Sequence, residues 1–222
     1  MDFNNLSPGL ILAMVVSLAL APYMAVMITA FTKLVVVFSL LRNALGLQQT
    51  PPNIVLNGLA IILSVYVIYP VGLQMADQAQ LSMEQRPDDG KAVELPELLE
   101  VAGDAKEPLR DFLVKHTSDS ERAFFLETAQ RLLPQEKRKD ISANDLIVVV
   151  PAFTVSELSK AFQIGFLIFL PFLVIDLIVS NILQALGMMM LSPTTISLPF
   201  KLLLFVLLDG WSKLIHGLVL TY

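Results

Sequence analysis

The sequence predicts an all-α membrane protein of about four long hydrophobic helices with a small, mainly helical soluble insert. Three observations carry that prediction. The chain has 222 residues, of which 55% are hydrophobic and only 16% charged, against about 25% charged in an ordinary soluble domain. Residues 3–32, 43–76 and 177–200 contain no charged side chain, and each window exceeds the roughly 20 residues a helix needs to cross a bilayer. The charge is concentrated instead in residues 77–145, where 16 Asp and Glu face 10 Lys and Arg, a net of −6 within a chain whose total is −5. The chain divides on this basis into an N-terminal hydrophobic hairpin (1–76), an acidic insert (77–145) and a C-terminal hydrophobic hairpin (146–222).

The first apolar block, from about Leu6 to Leu41, is interrupted by Lys33. It is too long for one simple span, so it reads as a long tilted helix or a span that continues past the interface. No Lys or Arg precedes it, so a cleavable signal peptide is not expected and the segment is expected to be retained. Gly46, Pro51 and Pro52 then mark a turn, and Ile54 to Met75 is the second helix, with Pro70 near its end. In the insert, "QRPDDGK" (85–91) reads as a loop. Pro108 stands near a helix start, followed by Leu109, Phe112, Leu113 and His116 at i, i+3, i+4 and i+7. Ser118 and Glu121 form a capping-box pattern before "RAFFLETAQRLLP". Leu146 to Val150 reads as a short strand stopped by Pro151, Phe162 to Leu186 as the third span, and Leu202 to Leu220 as the fourth. The acidic insert and Arg42 in the first connection place the short loops in the cytoplasm and the insert outside it, in the periplasm where the host has one.

Lys33, Glu157, Lys160, Asp176, Lys201, Asp209 and Lys213 sit within or beside the apolar blocks. A charge at the centre of a span costs about 2.5–3.5 kcal/mol, so these groups need partners. Glu157 and Lys160 are spaced i, i+3, and Asp209 and Lys213 i, i+4; either pair can close along one helix edge. Asp176 and Lys33 lack local partners and are expected to pair between helices or between subunits. Assembly salt bridges are favoured over an ion path or proton relay.

"ALGMMMLSPTTISLPFK" (185–201) sets Met188, Met189 and Met190 in a row before Pro193 and Pro199. Consecutive helical residues point about 100° apart, so one packing face does not explain the triplet. The two prolines remove backbone donors, and non-helical backbone at membrane depth is tolerated only inside protein or beside water. An interfacial turn dipping its methionines into lipid is the plain alternative. Methionine is unbranched and repacks around irregular shapes, which suits a deformable seal. One chain supplies too few methionines to close a hole, so a seal requires several copies.

The stretches "FTKLVVVFSLLRNALGLQQTPPN", "SELSKAFQIGFLIFLPFLVIDLIVSNILQALGMMMLSP" and "LPFKLLLFVLLDGW" resemble the FliP/SctR family of type III secretion export-gate proteins. The resemblance covers nearly the whole chain and is weakest in the insert. It implies broken helical hairpins assembling into a helical ring, thought to be pentameric, that forms an entrance channel for unfolded substrates. The implied setting is the bacterial inner membrane, with the complex projecting into the periplasm, the apolar helices buried mainly against neighbouring subunits, and membrane lipid as a further partner. The implied partners are SctS-like and SctT-like gate subunits, SctU-like and SctV-like export components, and an inner rod or needle adaptor. The family's methionine gasket maps onto Met188, Met189 and Met190. The missing signal sequence favours the injectisome branch over the flagellar one.

Two rival functions follow from the acids: a proton-coupled transporter using Asp176 and Asp209, and an aspartyl protease, which "LLDGW" suits poorly. No phosphate loop, HExxH or GxSxG motif is present, and no enzyme activity, cofactor, metal or nucleic acid is expected. With no cysteine, thiolate chemistry is excluded. His116 and His216 are expected to be surface or packing residues.

Overall fold

The computed structural model describes residues 8–84, 103–135, 138, 140–188 and 190–222. The predicted loop at 85–91 lies outside them. Among the described residues there is no strand. The longer helices are α1 (Pro8–Met27), α2 (Phe31–Ala44), α3 (Asn53–Glu84), α4 (Glu107–His116), α5 (Asp119–Leu132), α6 (Leu146–Ala185), α7 (Pro193–Leu207) and α8 (Gly210–Val219).

The 40-residue α6 is the spine: α2, α4, α5 and α7 all pack against it, while α3 lies across α2 and α4. Leu34, Val37, Phe38 and Leu41 recur at i, i+3, i+4 and i+7 on α2, and all four are buried in the core. Gly165 lets α2 and α6 approach: a Cβ there would lie 2.2 Å from Leu40 Cδ1 and 3.0 Å from Leu40 Cβ. Gly165→Ala is therefore expected to cost about 1–3 kcal/mol through overpacking. Thermal unfolding in detergent checks this, and adding Leu40→Ala is expected to recover part of the loss.

α3 and α6 are each long and apolar enough to cross a membrane. Leu18–Met27 of α1 joined with α2, and α7 joined with α8, are each long and apolar enough to span when taken together across a 60° bend. The block from about Leu6 to Leu41, expected as a long tilted helix or a span continuing past the interface, is over its described residues two helices meeting at residues 28–30. The fourth block breaks at Asp209, a non-glycine residue in the left-handed conformation (φ 49°, ψ 45°).

One proline reading is corrected. Leu146–Val150 is not a strand but the first turn and a half of α6, which continues through Pro151. Val148 and Val149 are buried against neighbouring helices, and tertiary burial overrides the preference of β-branched residues for strands. The second helix, expected over Ile54 to Met75 with Pro70 near its end, does pass through Pro70 and runs on across residue 76 to Glu84 as α3. Val71, just past that proline, packs with Phe112, Leu113, Val149 and Phe153, so contact with α4 and α6 offsets the lost backbone bond.

The insert docks through the residues its periodicity singled out, with Phe112, Leu113 and His116 buried on α4. Ser118 caps α5 by accepting from the Glu121 N–H at 3.4 Å. The Ser118 N–H itself donates to Ser156 Oγ on α6 at 3.0 Å, so the reciprocal limb of the capping box is replaced by a tie to the spine.

Candidate functional site: two buried ion clusters and a methionine loop

The first cluster is centred on Glu157. Its carboxylate lies 3.1 Å from Lys33 Nζ, with the two side chains 0% and 1% exposed. Lys160 Nζ sits 3.2 Å from the other carboxylate oxygen and donates to the His116 carbonyl at 2.6 Å. The Tyr222 hydroxyl also donates to Glu157. Lys33 Nζ donates to Thr221 Oγ1 at 2.8 Å and rests 3.5 Å from the Tyr222 ring centroid. Every polar atom of the pair is engaged, which is the condition for holding an ion pair away from water. The cluster binds α2, α4, α6 and the residues following α8 at one point.

The Tyr222 ring stacks on Phe112 at 6.0 Å and lies 5.0 Å from His116. Burial, with the Glu157 carboxylate alongside, pushes the Tyr222 hydroxyl well above its usual range, keeping it a donor. Burial first, then Lys115, lowers His116 to about 4; Glu157 opposes the shift, and Lys160 and Lys33 add to it. The unfolded chain would protonate this histidine near 6.5. Its contribution to stability is therefore complete above about pH 6.5 and is lost as the pH falls towards 4. The protection of α4 against hydrogen exchange, taken relative to the intrinsic amide rate at each pH, is expected to fall between about pH 7 and about pH 5, and His116→Phe is expected to remove that part of the dependence.

The second cluster is centred on Asp176. Lys201 Nζ lies 2.6 Å from Asp176 Oδ2 and 3.0 Å from the Ala44 carbonyl at the end of α2. Ser197 Oγ donates to Asp176 Oδ1 at 2.5 Å. Lys33 and Asp176, without local partners in the sequence, thus each meet an ion of opposite charge on another helix of the same chain. The i, i+4 pair Asp209–Lys213 is not formed among the described residues. Asp209 stands in the left-handed break rather than on the helix, so its side chain does not take the direction that i, i+4 pairing needs.

The methionine loop joins α6 to α7. α6 ends in a Schellman turn: the Met188 N–H bonds to the Leu183 carbonyl at 2.9 Å and the Gly187 N–H to Gln184 at 3.1 Å, with Gly187 at φ 72°. Pro193 opens α7, where a missing N–H costs nothing. Between them, Met190 is 100% and Met188 49% exposed in the single chain. Met189 lies outside the described residues.

Sequence reasoning passed over Thr221, Tyr222, Ser197 and the Ala44 carbonyl as ligands of the two clusters. Only the polar pair Thr221–Tyr222, following an apolar block, could have drawn attention. No group of His, Asp or Glu among the described residues is placed to hold a metal ion.

Long apolar helices pinned by buried ion pairs, with Ile54, Ile62, Tyr66, Phe166, Leu167 and Val206 left exposed on their outer faces, define a multi-helix membrane protein. The pattern of the FliP family matches residues 14–218. The chain belongs to the FliP family. It is 51% identical over 214 residues to Yop proteins translocation protein R of Yersinia pestis, covering 92% of each chain. It is 47% identical over 219 residues to the hypersensitivity response secretion protein HrcR of Ralstonia nicotianae, covering 99% of each. Against virulence protein YscR of Salmonella typhimurium it is 44% identical over 217 residues, 97% of each.

Proposed function

We propose that the chain is a core subunit of a type III secretion export gate in the bacterial inner membrane. Several copies, in a ring of about five by resemblance, form the conduit for unfolded substrates, with Met188, Met189 and Met190 lining its narrowest part. The observation that carries this reading is the exposed methionine loop, held out between a glycine-terminated helix and a proline-started one, in a chain similar over its whole length to proteins named for translocation and secretion. A ring of such loops excludes water at rest and repacks around a chain of changing width. The uncovered apolar faces suit contact with further copies, with SctS-like and SctT-like subunits, and with lipid. SctU-like and SctV-like components and an inner rod or needle adaptor complete the proposed setting, in which the gate projects into the periplasm. The chain is a conduit without enzyme activity.

Transport of protons by Asp176 and Asp209 is disfavoured by the Asp176 geometry. Both of its oxygens are already engaged, one by Ser197 and one by Lys201. The test combines loss of the chain with its isolation. Deleting it is expected to abolish export of secreted substrates, and the purified chain alone in liposomes is expected to carry no protons down a pH gradient. Proton uptake that disappears in Asp176→Asn would overturn the export reading in favour of a transporter.

A further inference from the structure

We propose that Asp176, Ser197 and Lys201 form a clasp that positions the methionine loop, setting how far the tip of the α6–α7 hairpin can move. The proposal rests on the reading of that loop as a seal and assigns the residues that hold it in place. Three observations lead to it. First, the only charged contact across the hairpin among the described residues is Lys201 to Asp176, reinforced from Ser197 on the loop side. Second, towards the loop the outer sides of α6 and α7 border an open apolar groove. Ile175, Ile178, Val179, Ile182, Ile196 and Phe200 border a groove of about 400 Å³ that presents no polar group. Contact there is non-directional and leaves the tip free to slide, whereas the clasp has fixed geometry.

Third, the clasp does not belong to the hairpin alone. Lys201 also donates to the carbonyl of Ala44, the last residue of α2, where the helix dipole favours a cation. The end of α2 is itself packed with Phe172 of α6 and Phe205 of α7. Lys201 therefore registers the loop-bearing hairpin against the end of α2. Lys201 is nearly enclosed while Asp176 retains about a quarter of its exposure, so the bond is shielded but reachable from one side. Asp176 and Lys201 are positioning residues: neither lies in the loop, and each acts on Met188 and Met190 through the helices that carry them.

The chain contains no cysteine, so a single Met190→Cys gives a clean reporter. The experiment measures its labelling by a membrane-impermeant maleimide in the complete purified gate complex. Lys201→Met and Asp176→Asn are expected to raise the labelling rate about fivefold or more, the shift that loss of one modest polar tie produces. Lys201→Arg keeps the charge and is expected to stay within about twofold of the parent. Lys33→Met, which breaks the other buried pair, is expected to leave the rate unchanged. Asp176→Asn nearly preserves shape, so it covers the case in which Lys201→Met does not assemble. Parental labelling rates in both clasp variants, in complexes of unchanged mass, would overturn the proposal. So would an equal rise in Lys33→Met, which would mean general loosening. Ion leak through the same complexes separates the two ideas. Should replacing the methionines leave leak unaltered while the clasp variants still expose position 190, the clasp stands and the seal fails.

Discussion

Glu157→Ala is expected to be the most damaging single substitution in the chain, lowering stability by about 3–5 kcal/mol. The effect has little to do with the volume of the side chain. Removing the carboxylate leaves Lys33, 1% exposed, as a buried charge without its counter-ion, removes the acceptor of the Tyr222 hydroxyl, and leaves the Lys160 ammonium with the His116 carbonyl alone. Lys33→Met should cost much less, because Glu157 keeps Lys160 and Tyr222. The double variant Lys33→Met, Glu157→Leu should regain most of what Glu157→Ala loses, since an apolar pair of similar volume removes the desolvation penalty altogether. Thermal unfolding of the detergent-solubilised protein ranks the three. A Glu157→Ala protein as stable as Lys33→Met would show that the carboxylate is not the hub of the cluster.

Replacing Met188, Met189 and Met190 together with glycine is expected to have the largest effect on the resting gate. It removes the three methionine side chains from the loop while leaving Leu191, the Schellman turn at Gly187 and the Pro193 start of α7 in place. Hydrophobic constrictions close by expelling water. Losing even the contribution of one buried methionine, about 1.5 kcal/mol, changes a wet–dry equilibrium roughly tenfold. Ion flux through the reconstituted complex should rise by at least that factor. A leucine triplet should hold the seal but slow the passage of substrate, because branched side chains repack less readily. Unaltered ion flux in the glycine variant would place the constriction in another subunit.

Much of the fold was legible because apolar periodicity and charge-free runs report directly on which residues avoid water. The α4 stripe of Leu109, Phe112, Leu113 and His116 was readable from spacing alone, as was the Ser118 cap. A proline misled at one place, Pro151. It removes a single backbone bond, and there, as at Pro70, the helix is carried on by burial of its neighbours, Val149 and Val71, against elements far away in sequence. The need of Lys33 and Asp176 for partners was also legible, since an unpaired charge in an apolar block is costly. Their identities were not. Glu157 and Lys201 come together with them only when α2, α6 and α7 are packed, and Tyr222 reaches Glu157 from the far end of the chain. The Asp209–Lys213 reading failed because helical spacing was assumed across a residue that breaks the helix.

The central claim is that the methionine loop faces the path of exported chains. Site-specific photocrosslinking from Met190 in secreting cells tests it most directly, with export stalled by a substrate fused to a domain that resists unfolding. The account predicts a crosslink between position 190 and the trapped substrate, and none from Leu132, which is exposed on α5 of the insert. A labelled protein that assembles and supports secretion, yet never crosslinks to substrate from position 190, would contradict it.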